Sequence, residues 1–309
     1  MEWFILALLA PVVWALGNHI DAFLVKHFIK DETGGESHGV GSLIIVSCLV
    51  GVLILPITFL FNPEVFSVVK ETRLILIVVG FLEGLSVLAY LYAVMEDDIA
   101  SVTAWFNTIP IFNLVLGFLV LGEVITKTQF LGFLVITTGL IFLSFKRTEL
   151  GLLFKKKVAL LMFFASFAYG LMTILFKFGS DVQSFWVSSF WQYVGLSILG
   201  LIFFIFIKPY RDSFLKIFVN KGLKFYSINA VNEFLFIAGT MISNYASLLA
   251  PVALVSLVGS FQPVIVIIFG LVIALFSKTK SEESLTVKER IIQVIGILLT
   301  IAGLPFILF

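Results

Sequence analysis

The chain has 309 residues, of which 60% are apolar or aromatic, 13% are charged and 35 are Phe. A soluble domain carries roughly 25% charged residues, so this composition, with a mean hydropathy of +1.13, excludes a soluble enzyme, a disordered chain and a disulfide scaffold and leaves a polytopic membrane protein. The net charge of +1 offers no basic face to a nucleic acid. Cys48 is the only cysteine, which rules out an internal disulfide and a cysteine-based metal site.

In chain order, apolar runs between charged or Gly/Pro breaks predict ten transmembrane helices: about 3–26, 40–61, 73–95, 99–121, 127–145, 157–178, 184–207, 226–248, 252–276 and 289–308. The runs lack the period-two polarity of barrel strands, so the expected class is all-α. The first run starts at Met1-Glu2-Trp3 with no basic segment before it and no small-residue cleavage site after it, and is expected to stay as a helix. Sixteen of the twenty Lys and Arg residues follow odd-numbered spans. Because basic residues in short loops are retained in the cytoplasm, the loops after helices 1, 5, 7 and 9 are expected there. Both termini would then face outside, in a multi-pass protein of the plasma (inner) membrane. Trp3, Trp186 and Tyr210 are expected as interfacial anchors.

A repeat runs through these spans. At an offset of 153 residues, Ala15-x-Gly17 meets Ala168-x-Gly170, Tyr92-Ala93 meets Tyr245-Ala246, Pro110 meets Pro263 and Gly117 meets Gly270. After a loop insertion, Gln129-x-x-Gly132 and Gly139 meet Gln293-x-x-Gly296 and Gly303. The expectation is two five-helix units, 1–147 and 156–309. Five is odd, so the second would enter the membrane inverted, an arrangement that supplies a mechanism for alternating access.

Pro110, Leu116-Gly117, Leu121-Gly122-Glu123, Gln129, Gly132 and Gly139, with Trp14-Ala15-x-Gly17 in the first span, resemble the EamA-type family of the drug/metabolite transporter superfamily. The resemblance covers the chain as two EamA-like units and implies a secondary transporter, by family habit an exporter, of a small metabolite or drug-like solute. One departure is that Leu275-Phe276 stands where a second Gly122-Glu123 would fall.

Ionisable groups in mid-span carry the functional expectation, because each costs roughly 2.5–3.5 kcal/mol on insertion scales. Glu83 in span 3 and Glu233 in the corresponding span 8 are such groups, expected to flank a central cavity and to allow proton coupling. Trp14, Asn18 and Asp21 fall on one face of span 1 with His19 beside them. Gln192 in span 7 and Asn229 in span 8 add polar groups. Pro110 and Pro263 each remove a backbone hydrogen bond at matching places, freeing the carbonyls of Phe106 and Gly259, which marks their neighbours Asn107 and Gln262 as cavity candidates. Tyr90, Trp105, Phe106, Tyr169 and Trp191 are candidates for an aromatic wall.

No cofactor is expected, and His19, His27 and His38 have no metal-ligand spacing. No basic residue lies in the middle third of a span, which points away from phosphate-bearing solutes and towards amino-bearing, cationic or uncharged ones. The partners expected are a small solute, H+ and the lipid bilayer, with the chain a monomer or homodimer. An intramembrane enzyme using the same carboxylates, or a non-transporting scaffold, is the alternative. The chain has no GxxxxGK[ST] or GxSxG motif.

Overall fold

A computed structural model describes residues 2–30, 39–143, 155–277 and 287–308. Lys146, Arg147, His38 and much of the basic segment at 278–288 lie outside them. The described residues are mostly helical, with no strand among them. Eight helices are long and apolar enough to cross a membrane: α1 (Glu2–His27), α2 (Val40–Phe61), α3 (Lys70–Glu96), α4 (Ser101–Leu121), α6 (Lys156–Ser180), α7 (Phe185–Phe206), α8 (Gly222–Leu249) and α9 (Val252–Gly270). Two further helices have shorter apolar stretches, α5 (Lys127–Leu143; apolar over Lys127–Phe142) and α10 (Val287–Leu308; apolar over Val294–Leu308). Their ends fall within a few residues of those expected from the apolar runs.

Local chemistry sets the ends. The Asn62 side chain accepts the Glu64 N–H at 3.0 Å just beyond α2, and Asp98 accepts the Ser101 N–H at 3.0 Å to open α4, each satisfying an amide that helix geometry leaves unpaired. Gly122 (φ 66°) ends α4 in the left-handed region that favours glycine. Gly222 (φ 57°) breaks the helical stretch Lys208–Leu249 in two. The piece before it leaves Leu215, Phe218 and Val219 exposed beside Lys208 and Lys216, the pattern of a helix lying in a membrane interface. Tyr210 in this piece is buried, and its hydroxyl lies 2.6 Å from that of Tyr92. It therefore packs against α3. Burial, then the Tyr92 hydroxyl, push the Tyr210 phenol above its ordinary pKa.

The helices pack in pairs. α1 packs on α8 and α9, α6 on α3 and α4, α3 on α7, α8 on α2, α2 on α7, α4 on α9, and α5 on α10. Two crossings bring backbone to backbone. A Cβ on Gly80 of α3 would strike the Gln192 carbonyl of α7, and one on Gly195 of α7 would strike the Ile77 carbonyl of α3. Between α5 and α10, Gly132 lies against Gly303, and Gly139 lies against Gly296.

Contacts between turns define the two ends of the bundle. At one end Asn62 donates to Ser184 at 2.9 Å, and Lys177 meets Glu123 at 2.6 Å. At the other, Lys157 meets Glu96 at 2.5 Å and Tyr92 meets Tyr210. Aliphatic side chains such as Leu60, Leu119 and Leu160 cover the outer surface, as a lipid-facing bundle requires.

Candidate functional site

A cavity opens among α1, α2, α3, α4, α6, α7, α8 and α9, with an empty volume of about 760 Å³, its open side included. Its polar lining is Asn18, Ser47, Glu83, Ser86, Thr240, Glu233 and Gln262, and its aromatic walls are Trp14, Tyr90, Phe106, Tyr169 and Phe236. No Lys, Arg or His is among the lining residues.

Each glutamate is held from a neighbouring helix. Gln192 Nε2 of α7 donates to Glu83 Oε2 at 2.7 Å, and Asn244 Nδ2 of α8 donates to Gln192 Oε1 at 3.0 Å. Ser47 Oγ of α2 donates to Glu233 Oε1 at 2.5 Å. Asp21 lies just beyond the lining, its Oδ1 accepting from Asn232 Nδ2 at 2.7 Å. Glu233 is close enough to Asp21 and Glu83 to interact with both electrostatically. The donors are all neutral, so none of them compensates the charge of an ionised carboxyl.

The helix geometry around the two prolines differs from a simple kink. Residues Trp105–Thr108 form a 3-10 turn, and Pro110 sits in the first turn of the helix Ile109–Leu116 that follows. α9 likewise breaks after Gly259, and Pro263 opens the piece Gln262–Ser277. A proline in a first turn removes an N–H that has no intrahelical partner anyway. The Phe106 carbonyl expected to be free instead accepts the Ile109 N–H through the tight turn.

The other candidates divide. Asn18, Glu83, Tyr169, Glu233 and Gln262 line the cavity together. Gln192 stands behind Glu83. His19 is on the α1–α9 packing face, its Nε2 2.9 Å from the Val266 carbonyl; a carbonyl accepts, so Nε2 carries the proton. Asn229 is fully buried, with neither amide atom hydrogen-bonded, and Asn107 is buried; neither lines the cavity. Trp105 packs on the main apolar core beside Phe106. Trp191 donates to the Val65 carbonyl at 2.7 Å and lies under Arg73 at 5.1 Å, away from the cavity. Among the described residues no His/Cys/Asp/Glu group could hold a metal ion.

Sequence reasoning passed over Ser47, Ser86 and Phe236. Trp14 lines both this cavity and the smaller void beside it. Its ring meets Tyr169 edge to face at 5.9 Å between centroids, and its Nε1–H donates to the Phe236 carbonyl at 3.3 Å. A smaller void of about 370 Å³ continues past Trp14, Phe106, Tyr169 and Gln262 to Thr173, Ser243 and Ser256. Further along α6 and α4, Lys177 and Glu123, 15 and 14% exposed, form their ion pair. Lys177 also donates to the Ala250 carbonyl at 2.9 Å, and Glu123 Oε2 accepts the Val252 N–H at 2.8 Å at the start of α9.

No curated protein sequence matches the chain. Among solved structures, one titled only "Crystal structure of protein" superposes with a TM-score of 0.55 over 97% of this chain and 95% of its own, at 13% identity, which speaks for a shared fold alone. The EamA-like transporter family matches residues 1–145, the region that contributes α1 to α5. Over that region the chain is similar to the EamA-like transporter family, which belongs to the drug/metabolite transporter superfamily.

Proposed function

We propose that the protein is a ten-span secondary transporter that moves a small metabolite or drug-like solute through this cavity by alternating access. The carrying observation is a cavity bounded by α3 and α8, each with one buried glutamate, and by the two broken helices α4 and α9. Discontinuous helices at the bilayer midplane are where transporters place their solute.

Two inverted units, 1–147 and 156–309, are supported by the packing. Exchanging each helix with the one five places on turns α1–α8 into α6–α3, α3–α7 into α8–α2 and α6–α4 into α1–α9, all of them pairs in the bundle. The same exchange turns the contact of Gly132 with Gly303 into that of Gly296 with Gly139. Both glutamates follow the rule: each lies on the third helix of one unit and is held by the second helix of the other. The Lys/Arg bias supports a cytoplasmic position for the end carrying Glu96 and Tyr210, in a plasma-membrane protein working as a monomer or homodimer.

Export is the direction the family favours. With no base in the lining, charge balance has to come from a proton or from the solute, and this motivates proton coupling through Glu83 and Glu233. Proteoliposomes containing only this chain test the reading. Solute should cross and be recovered chemically unchanged, and a pH gradient should drive its accumulation. Glu83→Gln and Glu233→Gln should abolish that accumulation. Full activity in both variants refutes the coupling role, and conversion of the solute refutes transport in favour of an intramembrane enzyme.

A further inference from the structure

The geometry points to a solute that is an organic monocation, an amine carrying a hydrogen-bond acceptor a few bonds away, such as an amino alcohol. This rests on the cavity being the solute site. Three observations carry it. The first is the charge count: Glu83 and Glu233 line the cavity, Asp21 lies behind them, and no cationic side chain lines it. An ammonium group has three donors and supplies the missing positive charge, whereas an anion would add to the repulsion.

The second is Asn18. It is fully buried, lines the cavity, and accepts the Tyr90 hydroxyl at its Oδ1 at 3.0 Å. The same hydroxyl also meets the Asp21 carboxyl, and in this orientation of the amide Nδ2 is left without a partner. A buried amide N–H asks for an acceptor, which the hydroxyl or carbonyl oxygen of a solute would provide. The third is the wall. Tyr90 and Phe106 stack at 5.8 Å, and Trp14, Tyr169 and Phe236 complete a set of ring faces and edges. Rings of this kind attract a desolvated cation and shelter an apolar body. Acids alone would admit an inorganic cation; the unpaired donor and the rings select an organic one.

Equilibrium binding to the purified full-length chain tests this without any transport. Four probes of similar shape are compared by thermal shift and tryptophan fluorescence: phenylalaninol (cation with acceptor), phenethylamine (cation without), 3-phenylpropanol (neutral) and 3-phenylpropanoate (anion). Phenylalaninol should bind best, phenethylamine roughly tenfold more weakly for want of one buried hydrogen bond, and the other two not measurably. Asn18→Ala should bring phenylalaninol down to the phenethylamine level and leave phenethylamine unchanged. Glu83→Gln should weaken both amines.

Equal binding of the neutral or anionic probe, or no binding of either amine, overturns the inference, and neither result depends on a variant folding. The two readings fail separately. Amine binding without flux would sink transport and keep the cation site, and flux of an anion would do the reverse.

Discussion

Gly80→Ala places a methyl group where α3 touches α7. The added carbon would lie far inside van der Waals contact with the Gln192 carbonyl and the Leu196 amide nitrogen, and both are backbone. A flexible side chain could swing aside, but a helix backbone cannot. The helices must therefore part by about 1 Å, and a gap of that size forfeits roughly a quarter to a half of the attraction of each facing atom pair. Overpacking of this kind costs about 1–3 kcal/mol, and a rigid neighbour puts the expected value near 3 kcal/mol.

Gly195→Ala strikes the Ile77 carbonyl across the same crossing and should cost a similar amount. Once the helices have separated for one methyl group, the second meets less resistance, so the double variant should fall well short of additive. Reversible unfolding in mixed detergent, followed by circular dichroism, measures all three. A Gly80→Ala variant within about 0.5 kcal/mol of the parent, or a fully additive pair, would refute the backbone contact. Because the struck carbonyl belongs to the residue that holds Glu83, solute binding should weaken as well.

Lys177→Met strands the Glu123 carboxylate beside the start of α9. A loss of about 2 kcal/mol is expected, recovered in part by exchanging the two residues as Glu123→Lys with Lys177→Glu; no change in melting temperature for Lys177→Met would contradict it. Gly239→Ala intrudes on the Trp14 indole and should shift tryptophan emission to the blue by releasing Nε1 from the Phe236 carbonyl, an effect absent in a Trp14→Phe background. Cys48 is buried between α2, α3 and α7, against Gly84 and Gly200. Cys48 also lines the cavity, so a small thiol reagent should reach it in the folded protein only through the cavity, and labelling that a bound solute leaves unslowed would count against that placement.

The helix ends were legible because apolar runs stop where charge begins, and Glu83 and Glu233 stood out because a carboxylate in mid-span is rare. The finer faces were harder to read. Asn18 and His19 are neighbours about 100° apart on a helix, so one can face the cavity while the other packs on α9. Sequence does not set that rotation. The 3-10 turn at Trp105–Thr108 advances each residue by about 20° more than an α-helix does, which carries Trp105 and Asn107 off the face taken by Phe106. Ser47 could not be found because serines are ordinary in apolar helices, and only the approach of α8 makes this one the partner of Glu233.

The Glu123–Lys177 pair has a consequence for how the protein rests. On the alternating-access reading, the two closed forms would be related by a near two-fold rotation about an axis in the membrane plane, yet Leu275-Phe276 gives the second unit no carboxylate to repeat the pair at the other end. The forms then differ in free energy by about the worth of that pair. A net worth of about 1 kcal/mol for such a pair corresponds to roughly fivefold in population, so in the absence of solute the molecule would favour the form with the Glu123 end shut and its carboxyl groups presented to the opposite compartment.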